Sequence, residues 1–245
     1  MEKEMKLAVL IDAENISARY VETILGEAAA LGNVIYKRIY GNWTTTQMAS
    51  WKEVILENAI QPVQQYNNAS GKNASDSSLI IDAMDLLYLG KLNGFVIVSS
   101  DSDFTRLAAR LRESEMFVLG MGVQNTPRSF ISACSKFAYL DVLYEAQHEK
   151  PAPQKAEQAP KKSGRSGGIN KKTIQRALRE FALEQCDDDG WIAAGQLASL
   201  LDRKYPDFDV RNFGYKKLYL FVDSLGMFEL KRDEQDRSKL YFKLK

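Results

Sequence analysis

Over the first 147 residues, short unbroken apolar runs alternate with stretches in which apolar residues recur at helical spacing. "KLAVLID" (6–12) is a buried strand, and a helical stretch follows from Ile16 to about Leu31. "VIYKRIYG" (34–41) is a strand, and "TQMASWKEVILEN" (46–58) has helical spacing. "IQPVQQY" (60–66) is a short strand near a sheet edge, because Pro62 cannot donate to a ladder. A polar loop, "NNASGKNAS", leads to a helix over "DSSLIIDAMDLLYLG" (76–90) that ends at Gly90. "GFVIVSS" (94–100) is a strand, "DFTRLAARLRES" (103–114) a helix and "MFVLGMG" (116–122) the last strand, after which Pro127 opens a further helix. Strand–helix repeats with near-continuous apolar strands predict a parallel sheet covered on both faces, with right-handed crossovers.

The pattern stops at "HEKPAPQKAEQAPKKSGRSGG" (148–168), which carries no large apolar residue. Such a segment cannot bury enough surface to offset its ordering entropy, and it reads as a flexible basic linker. The expected organisation is therefore a first domain over 1–147, a linker over 148–168 and a second domain over 169–245. In the second domain Ile174, Leu178 and Phe181 form one apolar stripe. Trp191, Ile192, Leu197, Leu200 and Leu201 form another, and Leu218, Leu220, Phe221 and Leu225 a third. "MFELKR", a polar turn and "KLYFKLK" then read as a hairpin. Three helices and a hairpin predict a small winged-helix module.

Charge sharpens the division. Residues 1–147 carry 13 Lys and Arg against 17 Asp and Glu, the linker 5 against 2, and the second domain 15 against 13. An acidic first part joined to a basic remainder permits a nucleic-acid partner. No apolar run approaches the ~18–20 residues of a membrane span, and "MEKEMKLAVLIDAEN" does not read as a signal peptide. The two cysteines, Cys134 and Cys186, form no metal-binding spacing, which points to reduced thiols in a cytoplasmic setting and no zinc site.

The candidate chemistry lies where strands end. The first strand ends in Asp12, followed by Glu14 and Asn15; the fourth ends in Asp101 and Asp103. Asp76 opens the helix after the polar loop. In an open parallel sheet, ligands sit at the carboxyl ends of the strands, where strand order reverses. Asp103 and Asp76 each also fit a helix cap, but several acids at one edge repel one another and are best tolerated around a cation. Oxygen ligands without a Cys/His cluster suggest Mg²⁺ or Mn²⁺, which hold phosphates and activate water for phosphodiester hydrolysis. The one histidine, His148, falls in the linker, so acid–base chemistry by histidine is not expected.

"LIDAENI", "GKNASDSSLIIDAMDLL" and "VSSDSDFTRLAARLR" together resemble the NYN domain, the LabA-like branch of the PIN-like nuclease superfamily, over residues 5–142. The resemblance implies a PIN-like three-layer α/β sandwich with a central parallel sheet, and metal-dependent cleavage of RNA. It carries the family's acidic pocket onto Asp12, Asp76, Asp101 and Asp103, and a supporting or water-positioning amide onto Asn15. Ser100 stands where many relatives have glycine. Asp82 also falls on a recurrent family acid, yet six residues from Asp76 on a helix it is rotated ~240° away, which marks it as the weaker candidate. Lys72, in the polar loop, and Arg128, in "TPRSF", are candidate phosphate contacts.

In the second domain, "GWIAAGQLASLLDRKYPDFDVRNFGYKKLYLFVDSLGMFEL" resembles the OST-HTH, or LOTUS, domain, which implies RNA binding and, in some members, protein binding. Lys171, Lys172, Lys216 and Lys217 are the candidate phosphate contacts there, whereas Phe213 and Tyr215 read more readily as core. The combined expectation is a metal-dependent ribonuclease whose RNA, single-stranded or structured, is brought by the LOTUS module and linker. The alternatives are a non-catalytic RNA-binding adaptor and a protein-interaction scaffold.

Overall fold

The first strand, β1 (Met5–Asp12), has its last six residues buried and forms the middle of a sheet. The computed structural model describes residues 4–65, 74–148, 169–233 and 239–245. The chain divides into two units, Met1–His148 and Glu149–Lys245.

In the first unit, β1 is joined by β2 (Gly32–Gly41), β3 (Gln61–Gln64), β4 (Gly94–Val98), β5 (Phe117–Gly122) and β6 (Lys136–Tyr139). The six strands lie in the order β3-β2-β1-β4-β5-β6, and every neighbouring pair is parallel. The chain therefore builds outward from β1 to one edge, returns to β4 and builds to the other. Order reverses between β1 and β4. Pro62 lies in the edge strand β3, as its missing N–H requires.

Period-2 alternation sends the strand side chains to two cores. Leu7, Val9, Ile11, Val96, Val98, Leu119 and Met121 pack with α1 (Val21–Leu31), α2 (Trp51–Glu57) and α6 (Leu140–His148). Ala8, Leu10, Phe95, Ile97 and Val118 face α3 (Ala74–Tyr88), α4 (Thr105–Glu113) and α5 (Arg128–Ala133) on the other side. Each fully buried aliphatic or Phe side chain contributes roughly 1.5–3 kcal/mol, so both faces of the sheet are strongly anchored. This is a three-layer α/β sandwich of PIN-like form.

Several details depart from the sequence reading. The first two helical stretches each begin with a 3-10 turn, Ala18–Tyr20 and Thr46–Ser50. The strand over 116–122 is not the last, because Lys136–Tyr139 adds β6 at the edge and runs straight into α6. His148, placed by the sequence in the linker, closes α6 and stacks on Tyr144 with ring centroids 4.0 Å apart. Pro127 is the residue before α5 rather than its first.

The second unit holds α7 (Lys171–Gln185), α8 (Ala194–Lys204) and α9 (Leu218–Asp223) around one core of Ile174, Leu178, Leu197, Leu201, Phe221 and Phe242. The expected hairpin is β8 (Phe228–Arg232) with β9 (Leu240–Leu244), antiparallel. Trp191 and Ile192, read as part of a helical stripe, instead form β7 (Trp191–Ala193), which pairs with β9. Phe213 and Tyr215 pack on Phe221, with ring centroids 4.9 and 5.5 Å away, as the core reading expects. No helix among the described residues is long and apolar enough to cross a membrane.

Candidate active site

Alternation along β1 and β4 decides which acids meet. Asp12 follows Ala8 and Leu10 on the face that packs against α3 and α4. Ser99, one residue past β4, continues the Phe95 and Ile97 face toward the same layer. Asp76 lies in the first turn of α3, and Asp101 and Asp103 lie between β4 and α4. Strand ends and the first turns of two helices thus converge at the carboxyl edge, beside the reversal of strand order.

Asp76, Asp101 and Asp103 each offer a carboxylate oxygen, and these oxygens lie within 4.8 Å of one another. Asp76 is buried, Asp101 half-buried and Asp103 exposed, so the group opens from the interior to solvent. Burial pushes the Asp76 carboxyl up, and the nearby charges of Asp12, Asp101, Asp103 and Glu14 push it further, to about 6. Asp101 is the cap of the 3-10 turn Ser102–Phe104, accepting from the Asp103 N–H at 2.9 Å. The cap is therefore Asp101, and Asp103 sits within the turn it starts.

Asp12 is 1 % exposed and has a different setting. Its Oδ2 accepts from Asn15 Nδ2 at 2.6 Å and from Ser99 Oγ at 2.8 Å; its Oδ1 accepts from the Glu14 N–H at 3.2 Å. Burial raises its carboxyl above the usual range, and these hydrogen bonds partly offset the rise. Asp12 thus borders the group of three and acts on Asp76 by charge, held in place by neutral donors.

Ser99 was not legible as a site residue. Its hydroxyl also accepts from the Asp101 N–H at 3.0 Å, so one buried side chain ties the end of β1 to the acid loop after β4. Its one signal in the sequence is the period-2 position after Phe95 and Ile97. Ser100 points elsewhere: its Oγ accepts from the Val123 N–H and from Thr126 Oγ1, both at 3.0 Å. Gly122 is needed there, since a Cβ would sit 2.5 Å from Thr126 Oγ1 and 2.8 Å from Ser100 Oγ.

Asp82 is not in this group. Its carboxylate pairs with Arg38 at 2.6 Å and accepts from Tyr40 Oη at 2.6 Å. It fastens α3 to β2, in keeping with its rotation away from Asp76. Arg128 is the exposed first residue of α5, after the loop that leaves β5. Lys72 lies outside the described residues. In the second unit, Lys171 and Lys172 are exposed at the start of α7, and Lys216 and Lys217 are exposed before α9. Lys171 Nζ stands 5.9 Å from the ring centroids of both Tyr215 and Phe221, which brings the two lysine pairs to one region.

Fold and acidic edge together define a protein of the PIN-like α/β class. The chain belongs to the NYN domain family, whose model matches residues 6–141, and an OST-HTH/LOTUS domain matches residues 169–240. NYN domains are PIN-like nuclease domains, and OST-HTH/LOTUS domains are RNA-binding domains. A solved structure of a protein of unknown function from Vibrio parahaemolyticus is similar, with 18% identity and a TM-score of 0.48. The match covers 57% of this chain and 94% of that one. No curated protein matches this chain significantly.

Proposed function

We propose that the first unit is a divalent-metal-dependent ribonuclease and that the second unit delivers RNA to it. The observation that carries this reading is the triad of carboxylate oxygens from Asp76, Asp101 and Asp103 within 4.8 Å, bordered by buried Asp12. A single ion with oxygen ligands at ~2.0–2.6 Å spans at most about 4–5 Å between opposite ligands, so the triad fits one coordination shell. The donors are all hard oxygens, which favours Mg²⁺ or Mn²⁺ over Zn²⁺. Burial first, and then the neighbouring carboxylates, raise the Asp76 carboxyl, a cost that a bound cation would relieve.

When bound, the cation would neutralise charge on a phosphodiester and make water a competent nucleophile near neutral pH. The protein's own groups set the conditions. Asp76 must lose its proton to become a ligand, so loading competes with protonation near pH 6. Asn15 and Ser99 hold Asp12 in one orientation, and the Asp101 cap fixes the turn that presents Asp103. Lys171, Lys172, Lys216 and Lys217 supply exposed positive charge for phosphates, with Arg128 and Lys72 as candidates on the first unit. Cys134 and Cys186 are both free thiols, which supports a cytoplasmic setting.

Labelled single-stranded RNA incubated with the pure protein tests the proposal. Cleavage is expected with Mn²⁺ or Mg²⁺ and none with EDTA; an intact substrate under every metal condition would leave an RNA-binding adaptor.

A further inference from the structure

The β7-β9-β8 sheet of the second unit turns one face to the core and one outward. Ile192 and Phe242, opposite each other, are fully buried. By pleat alternation their neighbours face away. Trp191 pairs with Lys243, which pairs with Glu229; Ala193 pairs with Tyr241, which pairs with Lys231. The outer face therefore carries two aromatic rings with two lysines interleaved, and one carboxylate, the exposed Glu229, beside Lys243. Both rings are partly exposed, and Lys231 is exposed.

The lysines are arranged around the ring. Lys231 Nζ and Lys243 Nζ each stand 5.8 Å from the Trp191 ring centroid. That is near the ~6 Å outer limit of a cation–π contact, so neither ammonium caps the ring closely. Trp191 is itself anchored: its N–H donates to Asp187 Oδ1 at 2.7 Å, and its carbonyl accepts from the Asp187 N–H at 2.8 Å. A ring on a fixed backbone, flanked by one cation on the neighbouring β9 and one on β8 beyond it, presents a π-face and phosphate partners side by side.

We propose that this outer sheet face is a base-stacking site for single-stranded RNA. A base lies on Trp191 or Tyr241, and Lys231 and Lys243 take the flanking phosphates. The inference rests on the RNA-binding reading of the second unit but assigns a surface apart from the lysines that open α7 and precede α9. Single-stranded RNA is the occupant because it alternates π-faces with negative charge at short spacing, the complement of this face. A protein partner would need a continuous apolar area, whereas here Lys231, Lys243 and Glu229 share the face with the rings.

The test uses the full chain in EDTA, with fluorescence anisotropy of a labelled oligouridine across a salt series. Trp191→Leu is expected to weaken binding at least about 5-fold at every salt concentration, and Trp191→Phe to restore most of the loss. The double variant Lys231→Ala/Lys243→Ala is expected to reduce the log–log salt slope by about 1.4, two phosphates at ~0.7 each. If Trp191→Leu lowers the melting temperature, the lysine double variant decides, because its slope does not depend on packing of the ring. Wild-type affinity and slope in both variants would overturn this site while leaving RNA binding elsewhere intact. Failure of the wild-type chain to bind at low salt would overturn the RNA-binding reading itself, and this site with it.

Discussion

Ser99 Oγ donates to Asp12 Oδ2 across 2.8 Å, from a side chain with no solvent exposure. The bond joins the end of β1 to the loop after β4, at the place where strand order reverses. Ser99→Ala removes a donor that favours the ionised Asp12 and leaves a buried carboxylate short of a partner. A hydrogen bond to a charged group is worth about 1.5–3 kcal/mol, so a loss of that order is expected in denaturant unfolding. Mn²⁺ affinity should fall with it, measured by titration calorimetry, while cleavage at saturating Mn²⁺ falls less than at limiting Mn²⁺.

Asp76 makes stability depend on pH in a definite direction. Its folded-state carboxyl is raised from 3.8 to about 6, so between those values the folded protein holds more proton than the unfolded chain. Without metal, Asp76 therefore makes stability fall as pH rises from about 4 to about 6, and its effect is constant above. Asp76→Asn should melt higher than wild type above pH 6 in EDTA, and the two should converge below pH 4. Each kcal/mol relieved corresponds to about 2–4 °C for a chain of this size. A wild-type advantage at pH 7.5 in EDTA would contradict the crowding of charge described here.

Asp82 serves the fold. Asp82→Asn weakens the pairing with Arg38 and Tyr40 and should destabilise by about 1–3 kcal/mol. The variant that folds should keep metal-dependent RNA cleavage at saturating Mn²⁺, in contrast to Asp12→Asn or Asp101→Asn, which should abolish it with the fold intact by circular dichroism. Loss of cleavage in Asp82→Asn equal to that in Asp101→Asn would move Asp82 into the site.

Much of this was legible because strands and helices have fixed periods. Short β-branched and aromatic runs such as Phe95 to Val98, bounded by Gly94 and the polar Ser99, read as strands buried on both faces, and the ~100° step along α3 separates Asp82 from Asp76. What escaped had no periodic signature. β6 is four residues long and passes into α6 without a Gly or Pro to mark the change, so Lys136–His148 gave no boundary. Trp191 and Ile192 begin β7 only because β9 lies beside them, a tertiary fact. The choice of Asp101 over Asp103 as cap depended on where the chain leaves the strand, and DSD offers three capping residues in a row. Ser99 was invisible for the same reason: its role exists only through Asp12, 87 residues earlier.

The lysines at the start of α7 and before α9 carry a separate expectation. Lys171→Ala/Lys172→Ala and Lys216→Ala/Lys217→Ala should each weaken metal-independent binding of single-stranded RNA and lower the salt slope by about 0.7 for every phosphate that is no longer neutralised. Filter binding in EDTA at several salt concentrations checks this; unchanged slopes in both would remove these residues from the RNA-binding surface.

The most direct measurement is the rate of cleavage of labelled single-stranded RNA as a function of Mn²⁺ concentration, for wild type and Asp76→Asn, at pH 7.5. The triad of Asp76, Asp101 and Asp103 predicts a saturable rise for wild type, abolished by EDTA, and for Asp76→Asn a curve displaced to at least about tenfold higher Mn²⁺ or no cleavage at all. Superimposable curves, or cleavage that persists in EDTA, would contradict it.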